Sequence, residues 1–92
     1  MDFQLSVGNA EKHQVGFRYS RLTNTVRIDV DGDTMKKDTF WLWIPASRRY
    51  QLKVGQTETH DIVIEVSFPR AGAKFANPIC KVIIDGKFVN KY

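Results

Sequence analysis

Apolar residues recur at every second position along most of this chain. Phe3, Leu5 and Val7 alternate with polar neighbours, as do Val15, Phe17 and Tyr19, then Val26, Ile28 and Val30. The pattern returns in Tyr50, Leu52 and Val54, and in Ile62, Ile64, Val66 and Phe68. Successive side chains of a strand point to opposite faces, so this period describes strands buried on one face. No window holds the i, i+3, i+4, i+7 spacing of an amphipathic helix for a useful length. Asp31-Gly32 and Asp85-Gly86 punctuate the pattern, and such dipeptides suit tight hairpins because both turn residues adopt positive φ. Short strands at intervals of roughly ten residues predict an all-β fold, an antiparallel β-sandwich of seven to eight strands. At 92 residues the chain is expected to form a single domain over 1–92. Ile28, Val30, Leu42, Leu52, Val54, Ile62, Ile64, Val66, Val82 and Ile84 are the expected core.

Two segments depart from one-sided alternation. From Thr39 to Ile44, Phe40, Leu42 and Ile44 form one apolar face, and Trp41 and Trp43 form the other. From Ile79 to Ile84, Cys80, Val82 and Ile84 are opposed by Ile79 and Ile83. A second apolar face is either covered by loops or left exposed for a partner. If the Trp segment pairs as a hairpin with the next strand, its outer face meets Arg48, Arg49 and Tyr50. Trp, Tyr and Arg are the residue types enriched in binding hot spots. Trp41, Trp43, Arg48, Arg49 and Tyr50 are therefore the predicted interaction surface, facing a protein partner or a second copy of the chain.

The remaining chemistry is sparse. Fourteen basic against ten acidic residues give a formal charge of +4, but the charges are scattered. Lys36-Lys37 and Arg48-Arg49 are the only basic pairs, which speaks against nucleic acid as the partner. Cys80 is the single cysteine, so no internal disulfide forms, which points to a reducing, cytoplasmic setting. Within its β-rich run it reads as a buried structural residue. The longest apolar run, Phe40 to Ile44, is far short of a membrane span, and the start Met1-Asp2-Phe3-Gln4 does not read as a signal peptide. Asp29, Asp31 and Asp33 alternate like calcium ligands, yet the glycine and glutamate of a calcium loop are not at the needed positions. His13 and His60 stand far apart and make no zinc spacing. His60-Asp61 is a poor base and orienter because neighbours on a strand face opposite ways. Nucleophile-elbow and phosphate-loop motifs are absent from the sequence. No catalytic residue, metal or cofactor is expected.

A faint internal echo links Val26 to Gly32 with Lys81 to Gly86, each followed by a lysine six residues beyond its turn aspartate, Lys37 and Lys91. Convergent hairpin chemistry accounts for it, and no duplicated fold is expected.

The order of the segments is more telling. His13-x-Val15-x-Phe17 precedes Val26-Arg27-Ile28-Asp29-Val30-Asp31-Gly32 and an aromatic strand with Trp41. Tyr50-Gln51-Leu52-Lys53-Val54-Gly55, Ile62-Val63-Ile64-Glu65-Val66 and Ile84-Asp85-Gly86-Lys87 follow, with Lys91-Tyr92 at the end. From about Lys12 to Tyr92 this resembles the N-terminal domain of the Fas apoptotic inhibitory molecule family. The resemblance implies a β-sandwich without catalytic residues, a cytosolic setting, and work through protein contacts in cell-death or stress regulation. The family carries two such domains in tandem, whereas one is present in this sequence, and Pro45-Ala46-Ser47-Arg48-Arg49 follows the Trp strand. Two other readings of the same residues are a basic nucleic-acid-binding β domain and a small-ligand binder with a pocket between its sheets.

Overall fold

The computed structural model describes residues 1–40, 46–68 and 77–92. Eight strands run in chain order: β1 (Asp2–Val7), β2 (His13–Ser20), β3 (Thr25–Val30), β4 (Asp33–Thr39), β5 (Ser47–Val54), β6 (His60–Ser67), β7 (Ile79–Ile84) and β8 (Lys87–Lys91). They form two antiparallel meanders of four strands, β1-β2-β3-β4 and β5-β6-β7-β8. The all-β sandwich expected from the alternation is therefore the fold. Among the described residues no helix is long and apolar enough to cross a membrane.

The inward row of each strand fills the space between the sheets. The first sheet contributes Phe3, Val7, Val15, Phe17, Tyr19, Val26 and Ile28. The second contributes Tyr50, Leu52, Val54, Ile62, Ile64, Val66, Cys80 and Val82, and Phe40 and Phe68 plug one end. Of the expected core, Val30 and Ile84 are only partly buried, because they abut the two hairpin turns, and Leu42 lies outside the described residues. Cys80 is fully buried, and burial pushes its thiol up to about 12, the behaviour of an inert core thiol.

The halves of the chain repeat one another. Val7-Gly8-x-x-Glu11-x-His13 recurs as Val54-Gly55-x-x-Glu58-x-His60, 47 positions later. The registers agree: Phe3 opposes Phe17 where Tyr50 opposes Ile64, and Phe17 opposes Ile28 where Ile64 opposes Val82. Even the irregularities match. Met35 is left unpaired in β4 and Val89 in β8, a bulge at the same place in each edge strand. The echo around the Asp-Gly turns is thus part of a four-strand repeat, which corrects the expectation of mere convergence. Both turns have the geometry their sequence demands, with φ 51° at Asp31 and Asp85, 86° at Gly32 and 78° at Gly86.

The Trp segment expected to pair with the Tyr50 strand lies, from Trp41 to Ile44, outside the described residues. Among the described residues β5 is an edge strand paired with β6, and the preceding strand β4 belongs to the other sheet. Two different edges therefore meet. Tyr50 donates its hydroxyl to Asp38 at 3.0 Å, and at the opposite side the Tyr92 ring stacks on Phe3 with centroids 3.9 Å apart. Truncating Leu52→Ala should cost roughly 2–5 kcal/mol of unfolding free energy, read by denaturant titration, because it leaves a cavity between the sheets. A second substitution tests the repeat. A Cβ on Gly8 or Gly55 would lie 1.9 Å from the carbonyl oxygen of Glu11 or Glu58, at φ near 105°. Gly8→Ala and Gly55→Ala should each cost more than about 1 kcal/mol, and similar amounts, in the same titration.

Candidate functional site

One end of the sandwich gathers the titratable side chains. Gly8 and Gly55 turn the chain sharply after β1 and β5, which aims Glu11 and Glu58 across to the opposite half. Glu11 accepts hydrogen bonds from the backbone of Gln56 and Thr57, both at 2.8 Å, and from the Thr57 hydroxyl at 2.6 Å. Glu58 returns the contact by accepting from the backbone of Asn9 at 2.7 Å and Ala10 at 2.9 Å. Each carboxylate therefore caps the other half's turn, in a reciprocal clasp.

A histidine backs each glutamate. His13 Nε2 contacts Glu11 and its Nδ1 contacts Asp31 at 2.5 Å. His60 Nε2 contacts Glu58 and its Nδ1 contacts Asp85, both at 2.6 Å. Asp31 also accepts from the Gln14 backbone at 2.8 Å, and Asp85 from the Asp61 backbone at 2.9 Å, which fixes the two hairpin turns beneath the imidazoles. The partner of His60 is thus Asp85, brought in from the next hairpin, and not its chain neighbour Asp61.

With a carboxylate on both ring nitrogens, each imidazole donates twice and is held as the imidazolium. His13 is raised from its ordinary value mainly by the hydrogen bond to Asp31, and His60 mainly by that to Glu58. Glu11 is held well below the carboxylate range, first by the Thr57 hydroxyl and then by His13. Glu58 is lowered to about 2, first by His60 and then by the Asn9 and Ala10 amides. Asp31 and Asp85 are lowered as well, Asp31 chiefly by the Gln14 amide and Asp85 chiefly by His60. A doubly donating imidazolium has no lone pair free for a metal or for proton abstraction. The clasp consequently works as a structural lock. An open concavity of about 560 Å³ lies beside it, lined by Glu11, His13, Asp31, Met35 and Lys53 among others.

Of the residues singled out from the sequence as an interaction surface, the three that are described, Arg48, Arg49 and Tyr50, divide between the two faces of β5. Arg49 is exposed on the outer face of the second sheet, with Gln51 and Lys53. Arg48 and Tyr50 face the other way. Tyr50 is buried in the core, and burial followed by its hydrogen bond to Asp38 raises its phenol. Arg48 sits over the Phe40 ring, 5.6 Å from the centroid, and 3.8 Å from Asp38. Trp41 and Trp43 lie outside the described residues. The three alternating aspartates part company: Asp29 binds Arg27 at 3.1 Å and Thr34 at 3.0 Å, while Asp31 serves His13.

A different surface emerges on the outer face of the second sheet. Gln51, Val63, Ile83 and Phe88 lie side by side in register across β5, β6, β7 and β8. Phe88 is 61% exposed and Ile79, nearby on β7, is 47% exposed. The next row holds Arg49, Glu65, Lys81 and Lys91. No family model, curated protein or solved structure matches the chain.

The signs of the shifts give the pH dependence. Raised histidines stabilise fully below their ordinary value of 6.5, and that stability is lost as pH rises through their folded values. Lowered carboxylates stabilise above their ordinary values of 4.5 for Glu and 3.8 for Asp, and that stability is lost as pH falls toward about 2 at Glu58. The melting temperature should therefore be highest between pH 4.5 and 6.5. The decline on the alkaline side should shrink in a His13→Gln/His60→Gln protein, followed by thermal unfolding across pH.

Proposed function

We propose that the chain is a non-enzymatic protein-interaction module, as its resemblance to the Fas apoptotic inhibitory molecule N-terminal domain implies. The observation that carries this reading is the outward apolar row Val63, Ile83 and Phe88. The repeat supplies an internal control, because the corresponding row of the first sheet is Gly16, Asp29 and Thr34, in register across β2, β3 and β4. Both sheets fold with equivalent inward rows, so folding does not require an apolar outward one. Within this row Val63 is buried and Ile83 half-buried, so the exposed apolar area is that of Phe88 and of Ile79 further along β7. An exposed apolar patch rimmed by charge is the anatomy of a binding surface. The locked histidines support the non-enzymatic part of the reading.

Charge supports one partner chemistry over another. The outward positions around the row include Arg49, Lys53, Lys81 and Lys91 against Asp61 and Glu65. Two copies stacked on this face would bring like charges together, whereas an acidic protein segment carrying an apolar side chain complements it. Work in cell-death or stress regulation is the setting that the family resemblance supports.

Display of random peptides on the full chain tests this. Selected peptides should carry an aromatic or aliphatic residue flanked by Asp or Glu. Phe88→Ser should reduce their binding at least tenfold while changing stability by no more than about 0.5 kcal/mol, as is usual for an exposed position. Peptides that bind Phe88→Ser as well as the parent would overturn the reading. Concentration-dependent dimerisation abolished by Phe88→Ser would replace the acidic partner with a second copy.

A further inference from the structure

The outer face of the first sheet carries a second, chemically different feature. Arg18 on β2 lies directly opposite Arg27 on β3, and Arg27 lies directly opposite Lys37 on β4. Like charges directly opposite one another in a sheet are destabilising. The equivalent row of the second sheet avoids part of this conflict by placing Glu65 between Arg49 and Lys81. The repeated scaffold therefore does not demand three adjacent cations.

These cations border an open concavity of about 300 Å³. Its other lining groups include the hydroxyls of Ser20, Thr25 and Thr39, and the described lining holds no carboxylate. The Thr25 and Thr39 hydroxyls lie 3.1 Å apart in a mutual hydrogen bond at one side. Asp2 approaches Arg18 at 3.6 Å and Asp29 approaches Arg27 at 3.1 Å, both from outside the concavity. Those exposed pairs offset the repulsion only weakly. The corresponding place on the second sheet has Glu65 for Arg18 and Ile79 for Thr25, and would reject an anion.

We propose that this concavity binds a compact oxyanion of the phosphate class, with Arg27 at its centre and Arg18 and Lys37 on either side. Guanidinium groups match the oxygens of a phosphoryl group in bidentate fashion, lysine adds a point charge, and hydroxyls donate to the remaining oxygens. The bound anion relieves the repulsion that the empty sheet carries. A nucleic-acid strand fits less well, since the lining has no aromatic platform for a base. The site is independent of the apolar row on the opposite sheet.

Thermal unfolding of the full chain, with sodium chloride holding ionic strength constant, reads the site. Pyrophosphate at ten times its Kd should raise Tm by about 5 °C or more, because a ligand bound only by the folded state stabilises it. Inorganic phosphate should act in the same direction at higher concentration. Without ligand, Arg27→Gln and Lys37→Gln should melt at or above the parent temperature, as each removes a like-charge contact, and each should lose most of the pyrophosphate response. Lys81→Gln on the other sheet should keep the full response. Failure of the parent to respond, or equal responses in Arg27→Gln and the parent, would overturn the proposal. So would equal losses in Lys81→Gln and Arg27→Gln, which would mark diffuse surface charge. A thymidine oligonucleotide that displaces pyrophosphate and binds more tightly would replace the compact anion with a nucleic-acid backbone.

Discussion

Glu11 and Glu58 hold the molecule's two halves to each other. Each leaves its own β-hairpin connection and satisfies backbone amides in the other half's turn, so neither turn is complete by itself. Ionised acceptors make stronger hydrogen bonds than neutral ones, and the histidine behind each carboxylate keeps it ionised and aimed. The turn aspartate behind each histidine then ties the same chain of contacts to the β3-β4 or β7-β8 hairpin. One end of the sandwich is thereby fixed in register, and the inward rows can interdigitate only one way. The two positive-φ glycines are the backbone condition for it, since a side chain there would collide with the carbonyl of the glutamate that follows.

The clasp also explains why the histidines are poor guides to chemistry. Partly exposed imidazoles flanked by carboxylates look like catalytic or metal-binding groups when seen as a list of residues. In place, each ring has both nitrogens committed to carboxylates, Glu11 and Asp31 for His13 and Glu58 and Asp85 for His60. Their pKa shifts belong to folding, and the pH dependence they create is one of stability.

Five strands, β1, β2, β3, β5 and β6, were legible from alternation, because burial of an inward face is what writes a period of two into a sequence, while β7 showed as a β-rich run apolar on both faces. β4 and β8 were not, because they are bulged edge strands whose residues are largely exposed, and exposure removes the pattern. The clasp was written plainly in Val7-Gly8-x-x-Glu11-x-His13 and Val54-Gly55-x-x-Glu58-x-His60, but its partners lie more than forty residues away, at Gln56 and Thr57 for Glu11. Proximity of that kind arises only when two sheets close on each other. Tyr50 shows the same limit in reverse. Beside Arg48 and Arg49 it reads as a surface aromatic, yet the strand's alternation sends it inward to Asp38 and leaves Arg49 outside. The cation row of Arg18, Arg27 and Lys37 was equally hidden, since residues from three strands make no run in the chain.

The repeat separates what the fold requires from what it merely permits. Positions on the inward rows, the positive-φ glycines, the clasp glutamates, the histidines and the turn aspartates hold the same or physically equivalent residues in both halves. They answer constraints that both halves share: excluded water, close backbone approach and unpaired turn amides. The outward rows lie outside the space between the sheets, and there the halves diverge. Gly16, Asp29 and Thr34 stand on one sheet where Val63, Ile83 and Phe88 stand on the other, and Arg18 stands where the second sheet has Glu65. Solvent exposure alone gives no reason for Phe88 and Ile79 to stand exposed on one face or for the other to concentrate positive charge. Both choices oppose stability or solubility, which is the physical ground on which an apolar partner is proposed for one face and an anion for the other.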